Sequence, residues 1–160
     1  MNDELKEKYQ RLLNLLSEME SVVVAFSGGV DSTFLAHSAY RVLSDYAIAV
    51  SAVSPSFPSW EQKEADELAR MIGIKHIKIT TDELSIPDYA SNTPSRCYHC
   101  KLTLFGEMKK IAEKFGARFV LDGSNADDLS DFRPGMKALK ELGIRSPLLE
   151  VGLSLSLIHI

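Results

Sequence analysis

Val22-Val23-Val24-Ala25-Phe26-Ser27-Gly28-Gly29-Val30-Asp31-Ser32 is the most informative stretch of the chain. Its first half is an uninterrupted apolar run, the pattern of a strand buried on both faces. Its second half breaks that run with two glycines and leads into a helical pattern from about Asp31 to Leu43. Glycines there let the backbone turn tightly, so that successive N–H groups point at one anion. The helix start adds its partial positive charge, and the Ser27, Ser32 and Thr33 hydroxyls are further candidate donors. The loop lacks the G-K-[ST] ending of a Walker A motif and does not match G-x-G-x-x-G. Asp31 would repel bare phosphate, so its presence points to Mg²⁺ bridging carboxylate and phosphates. A helix-dipole partner in the first turn is the plainer alternative.

Outward from this stretch, helical and strand patterns alternate. Leu5, Tyr9, Leu12, Leu13, Leu16 and Met19 recur at helical spacing over residues 2–20. Ala47 to Val53 forms a second apolar run. Ser59-Trp60-Glu61-Gln62 has capping-box spacing and opens a helix reaching Ile72, with Gly73 as its stop. Ile74 to Thr80 suits a third strand, and a long loop with Pro87 and Pro94 leads to a helix from about Tyr98 to Phe115. Phe119-Val120-Leu121 makes a fourth strand, and Pro134 starts a helix to Leu142, closed by Gly143. The alternation predicts βαβ units: an α/β fold with a mainly parallel sheet and helices on both faces. His37 and His76 read as packing or exposed residues, and Trp60 as a packing residue beside the helix cap.

The chain has 160 residues, enough for one domain with its own core. Lys and Arg total 18 against 22 Asp and Glu, for a net charge of −4, which disfavours a bulk nucleic-acid binder. Nothing reaches the length of a membrane span, and the charged N-terminus is unlike a signal peptide, so a cytoplasmic protein is expected. Two cysteines, Cys97 and Cys100, are too few for a secreted disulfide scaffold. Their C-x-x-C spacing suits an iron–sulfur cluster, a redox or inert thiol pair, or zinc. Two ligands cannot complete a metal site, and His99 lies between them.

S-G-G-V-D-S after a buried strand resembles the PP-loop of the adenine-nucleotide α-hydrolase superfamily, which has a Rossmann-like fold and cleaves ATP between its α and β phosphates. Further stretches carry a narrower resemblance. They are Ser54-Pro55-Ser56-Phe57-Pro58, Arg96-Cys97-Tyr98-His99-Cys100-Lys101, and Asp122-Gly123-Ser124-Asn125-Ala126-Asp127-Asp128, running on to Asp131-Phe132-Arg133-Pro134-Gly135. With Arg145-Ser146-Pro147-Leu148 they are similar, from about residue 5 to Gly152, to the LarE-type ATP-dependent sulfur transferases of nickel-pincer nucleotide biosynthesis.

That resemblance implies adenylation of a carboxylate on a pyridinium dicarboxylate mononucleotide, pyrophosphate release, and sulfur transfer to give a thiocarboxylate. It implies ATP and Mg²⁺, held by Ser27, Gly28, Gly29, Asp31 and Ser32, with Ser54 and Gly123 flanking the nucleotide. Lys101, Asp131 and Arg133 are candidate catalytic groups. For Arg133 a salt bridge to Asp131 or Asp128 is the alternative to a substrate-phosphate contact, and Asp127, Asp128 and Asp131 also serve as solvated loop charges or helix caps. Cys97 and Cys100 would hold an iron–sulfur cluster with a cysteine outside this chain, and a homo-oligomer is expected. Other PP-loop enzymes, a tRNA thiolase or an amidating synthetase, are the rival reading; a nucleotide-binding fragment without chemistry is another. After Gly152 come eight residues without Asp, Glu, Lys or Arg. Residues 1–152 therefore read as the ATP-binding domain and 153–160 as a truncated or non-native tail, with a genuine edge strand as the alternative.

Overall fold

The computed structural model describes residues 3–53, 59–80, 95–123 and 141–153. Helix α1 is Asp3–Met19, followed by β1 (Val22–Ala25), α2 (Val30–Leu43), β2 (Ala47–Val53), α3 (Ser59–Ile72), β3 (Lys75–Thr80), α4 (Ser95–Phe115), β4 (Phe119–Leu121) and the short α5 (Pro147–Glu150). The strands form one parallel sheet in the order β3-β2-β1-β4. Beyond β4, Arg145 pairs in parallel with Leu121, its amide donating to Val120 O at 3.0 Å.

The valines of β1 account for its central place. Side chains alternate across a strand, so Val22 and Val24 face one core and Val23 the other, and all three are fully buried. Each such side chain contributes about 1.5–3 kcal/mol of burial. The first core gathers Leu12 and Leu16 of α1, Leu35 and Ala39 of α2, and Ala65 and Ala69 of α3. The second packs Phe105, Met108 and Ala112 of α4 against Val23, Ile48, Val50 and Val120. Helices α1 to α3 thus cover one face and α4 the other. Right-handed crossovers require that exchange when the chain, having moved from β1 to β3, returns past β1 to β4.

Among the described residues the expected strands and helices are present. Two helix starts differ. Helix α4 begins at Ser95 rather than Tyr98, so Cys97, expected just ahead of it, lies with Cys100 in its first two turns. Helix α3 includes Ser59 as its first residue, one position inside the place a capping box assigns it. Gly73 does stop α3, with φ of 91° and its amide bonded to Ala69 O. The long loop over 81–94 and the helix from Pro134 fall outside the described residues, except for its end, where Glu141 and Leu142 are helical and Gly143 has φ of 72°. Leu153 is fully buried in the first core, its amide bonded to Leu148 O at 2.9 Å; residues 154–160 are outside the described residues. Among the described residues no helix is long and apolar enough to cross a membrane.

Candidate functional site

In open α/β sheets ligands bind beyond the carboxyl ends of the strands, where the strand order reverses. Here that point lies between β1 and β4, and the loop Phe26 to Thr33 rises from it. Gly28 has φ of 85°, a left-handed conformation that costs a side-chain-bearing residue energy. Its neighbour is α3: a Cβ built on Gly28 would lie 3.3 Å from the Ala65 Cβ. The loop therefore turns tightly and lies flat against a helix at the same residue.

Two serines hold that turn. The Ser32 hydroxyl accepts the Ser27 amide at 3.1 Å and lies 3.1 Å from the Ser27 hydroxyl, which in turn accepts the Gly29 amide at 3.3 Å. Ser32 is buried and its hydroxyl also reaches Gly29 O. The serine hydroxyls expected to meet phosphate are thus engaged within the loop, where they fix its shape. The first intrahelical bond of α2 runs from Thr33 N to Gly29 O at 3.0 Å. Amides ahead of it have no carbonyl one turn earlier to bond, which makes a helix start an anion site. Thr33 Oγ1 is buried with no hydrogen-bond partner among the described residues, a polar atom that a ligand at this helix start would satisfy. Asp31 stands in the same first turn. The arrangement fits phosphate with a bridging Mg²⁺, because Mg²⁺ is usually held by one or two carboxylates together with substrate phosphates. Among the described residues no group of three or more His, Cys, Asp or Glu could hold a metal by itself.

The opposite wall comes from β4. A Cβ built on Gly123 would stand 3.1 Å from Ser32 N and 3.3 Å from its Cα. A side chain here would press on the start of α2 and require it to give by a few tenths of an ångström. Asp122, just before it, is buried, and the Ser146 hydroxyl donates to its Oδ1 at 2.5 Å while its amide donates to Arg145 O. Asp122 and Ser146 thus tie the β4 end to the segment before α5. Both lay in stretches carrying the family resemblance, yet neither stood out, because a buried carboxylate–hydroxyl pair is a tertiary fact. Arg145 is turned away to Glu150, and that bond holds its guanidinium above the ordinary arginine range.

The structure thus brings Ser27, Gly28, Gly29, Asp31, Ser32 and Gly123 together. Ser54, Asp131 and Arg133 lie outside the described residues, and Cys97, Cys100 and Lys101 are described only as backbone positions on α4. His37 lines an apolar groove between α2 and α3 with Phe34, Leu68 and Met71.

His76, expected to pack or lie exposed, is held on both ring nitrogens by polar partners. On β3 its Nε2 lies 2.7 Å from Ser51 Oγ of β2, and its Nδ1 lies 3.1 Å from Asp66 Oδ1 of α3. Lys78 holds the other oxygen of Asp66 at 2.6 Å. Ser51 also reaches Phe26 O, the last carbonyl before the loop, at 2.6 Å. The order hydroxyl, imidazole, carboxylate is that of a nucleophilic triad. Ser51, however, is 2% exposed between two strands, where no substrate carbonyl reaches it. Burial pushes the His76 pKa below its usual value, against the pull of Asp66 and with that of Lys78. The Lys78 hydrogen bond keeps the Asp66 carboxyl below the ordinary carboxylate range.

Comparison with known proteins gives consistent results. The asparagine synthase family model matches residues 13–142. The chain is 43% identical over 150 residues to the uncharacterized protein slr1717 of Synechocystis, covering 94% of this chain and 56% of that one. It is 39% identical over 147 residues to the pyridinium-3,5-bisthiocarboxylic acid mononucleotide synthase of Lactiplantibacillus plantarum, covering 91% and 53%. The chain therefore spans about half the length of these relatives. The structure of an NMN synthetase from Francisella tularensis superposes with a TM-score of 0.74 at 22% identity, over 96% of this chain and 67% of that one, a likeness of fold.

Proposed function

This chain belongs to the PP-loop family that the asparagine synthase model describes, and on that premise we propose that it is the ATP-binding part of a sulfur transferase acting on a carboxylated pyridinium mononucleotide. A carboxylate is a poor electrophile until one oxygen becomes a leaving group. In the first step a substrate carboxylate oxygen attacks the α-phosphorus of ATP, the bond from that phosphorus to the oxygen bridging to the β-phosphate breaks, and pyrophosphate departs. In the second a sulfur nucleophile attacks the acyl carbon, and AMP leaves with the original carboxylate oxygen. The observation that carries this reading is the α2 start at the sheet's reversal point, with a buried Thr33 hydroxyl, unpartnered among the described residues, in its first turn and Gly123 so close that a Cβ there would stand 3.1 Å from Ser32 N.

The protein's part is positioning and charge neutralisation. The Ser27–Ser32 loop, shaped by its own serine bonds, presents the amides at the α2 start to the phosphates, and Asp31 takes Mg²⁺. Ser54 and Gly123 flank the nucleotide, Lys101 and Arg133 neutralise anionic groups, and Asp131 completes the catalytic set. Cys97 and Cys100 hold an iron–sulfur cluster together with a cysteine outside this chain, which iron and sulfide analysis after anaerobic purification tests. Residues 1–152 with the buried Leu153 make up the ATP-binding domain, the protein is a homo-oligomer, and its setting is cytoplasmic.

The deciding assay supplies ATP, Mg²⁺ and the pyridinium dicarboxylate mononucleotide, without tRNA or ammonia. Pyrophosphate and the acyl-adenylate are expected, with AMP following once a sulfur nucleophile is supplied. ADP would refute cleavage between the α and β phosphates. Products formed only on adding tRNA or ammonia would transfer the protein to a thiolase or an amidating synthetase, and binding without products would leave a nucleotide-binding module.

A further inference from the structure

The contacts that join Phe26 O, Ser51, His76 and Asp66 each need a proton between two electronegative atoms. Ser51 brings one proton and a neutral imidazole one more, so two protons serve three contacts. Only the imidazolium supplies the third. With neutral His76, one tautomer aims a bare Nδ1 lone pair at the Asp66 carboxylate 3.1 Å away, which is repulsive. The other keeps a charge-assisted Nδ1–H bond to Asp66, the stronger kind. Its Nε2 then takes the Ser51 proton, and Phe26 O is left without its donor.

Phe26 O is the carbonyl of the peptide whose nitrogen belongs to Ser27, the first residue of the phosphate loop. We propose that His76 is a positioning residue for that loop, acting through Ser51: protonated His76 returns the Ser51 hydroxyl to Phe26 O and fixes the loop entrance, and neutral His76 releases it. The groups facing the imidazole are Ser51 from β2, the edge of the Phe26 ring at 5.5 Å, Asp66 from α3 and Lys78 from β3 itself. Among these described neighbours only Asp66 and Lys78 carry charge. They pull in opposite directions, and burial favours the neutral imidazole, the state that lacks the third proton. The linkage to nucleotide rests on the ATP-binding reading; the linkage to the loop does not.

The test separates the two. In wild-type protein without nucleotide, the Ser27 amide nitrogen shift is followed by NMR against pH beside the His76 ring shifts. The Ser27 shift is expected to move with the same midpoint as His76, and to lose that movement in Ser51→Ala and in His76→Gln. A flat Ser27 shift while His76 titrates, or movement that persists in Ser51→Ala, overturns the relay. ATP affinity with Mg²⁺ is then measured over the same range, as the ratio of wild type to Ser51→Ala, which cancels the protonation of ATP itself. That ratio is expected to favour the wild type by roughly threefold to tenfold more as pH falls through the His76 midpoint, the worth of one net hydrogen bond. By reciprocity, saturating ATP raises the His76 midpoint by the matching amount. A constant ratio beside a titrating Ser27 shift overturns the effect on affinity. If wild type binds no ATP at any pH, the nucleotide reading falls, and the relay is judged on Ser27 alone.

Discussion

Replacing Gly28 with alanine is expected to destabilise the domain by about 2 kcal/mol, roughly a thirtyfold change in the folding equilibrium. The left-handed φ of 85° costs an alanine about 1–2 kcal/mol. The new methyl would stand 3.3 Å from the Ala65 Cβ and 3.4 Å from its Cα, tighter than ordinary contact and against the backbone of α3, which adds about 1 kcal/mol. A more restricted unfolded chain returns about 0.4–1 kcal/mol of that total. The parts are separable. Ala65→Gly costs about 1 kcal/mol in helix propensity alone, but it removes the steric portion, so the double variant is expected to be about 1 kcal/mol more stable than additivity predicts. Urea denaturation of the four proteins measures this directly. A Gly28→Ala protein within about 0.5 kcal/mol of wild type would refute the strain argument. A coupling below about 0.3 kcal/mol would place the loop farther from α3 than described.

Other substitutions probe the rest of the site. Asp31→Asn is expected to weaken Mg²⁺-dependent ATP binding by about tenfold or more while leaving the melting temperature near wild type, read by calorimetry with and without the metal. Ser146→Ala removes a donor from the buried Asp122 carboxylate and should cost about 1–3 kcal/mol in urea denaturation; no measurable cost would mean that water replaces the hydroxyl freely. Because burial lowers the His76 pKa, the unfolded chain takes up this proton first as pH drops below about 6.5. Stability should therefore fall over that window and recover on raising the pH, and His76→Gln should flatten the change. A slope unaltered in that variant would assign the proton to another group.

The parallel architecture was legible because its signals are local. Val22 to Phe26 and Ala47 to Val53 can lie only where both faces are covered, and glycines at 73, 116 and 143 mark helix ends. The phosphate loop was legible for the same reason, since glycine, turn and helix start are contiguous. The use of its hydroxyls was not: whether Ser32 faces a ligand or its own loop depends on how tightly the turn closes. The relay was harder still. His76 pairs in register with Ala49, which sets Ser51 diagonally across from it on the same face, and α3 brings Asp66 above both. Register and helix placement are decided by the whole sheet, so no spacing along the chain announces such a group.

The burial of Leu153 has a consequence for how the domain is made. Leu148 and Leu153 close the core that Leu12 and Leu16 of α1 open, and Lys8 Nζ donates to Gly152 O across 144 residues of sequence. During synthesis the first helix leaves the ribosome long before the residues that seal it, by about 7–30 seconds at bacterial and eukaryotic elongation rates. Through that interval α1 can settle on α2 and β1, but its apolar stripe stays partly open to chaperones or to neighbouring nascent chains. A ribosome stalled ahead of Leu148 would therefore display a nearly complete sheet beneath an unsealed helix.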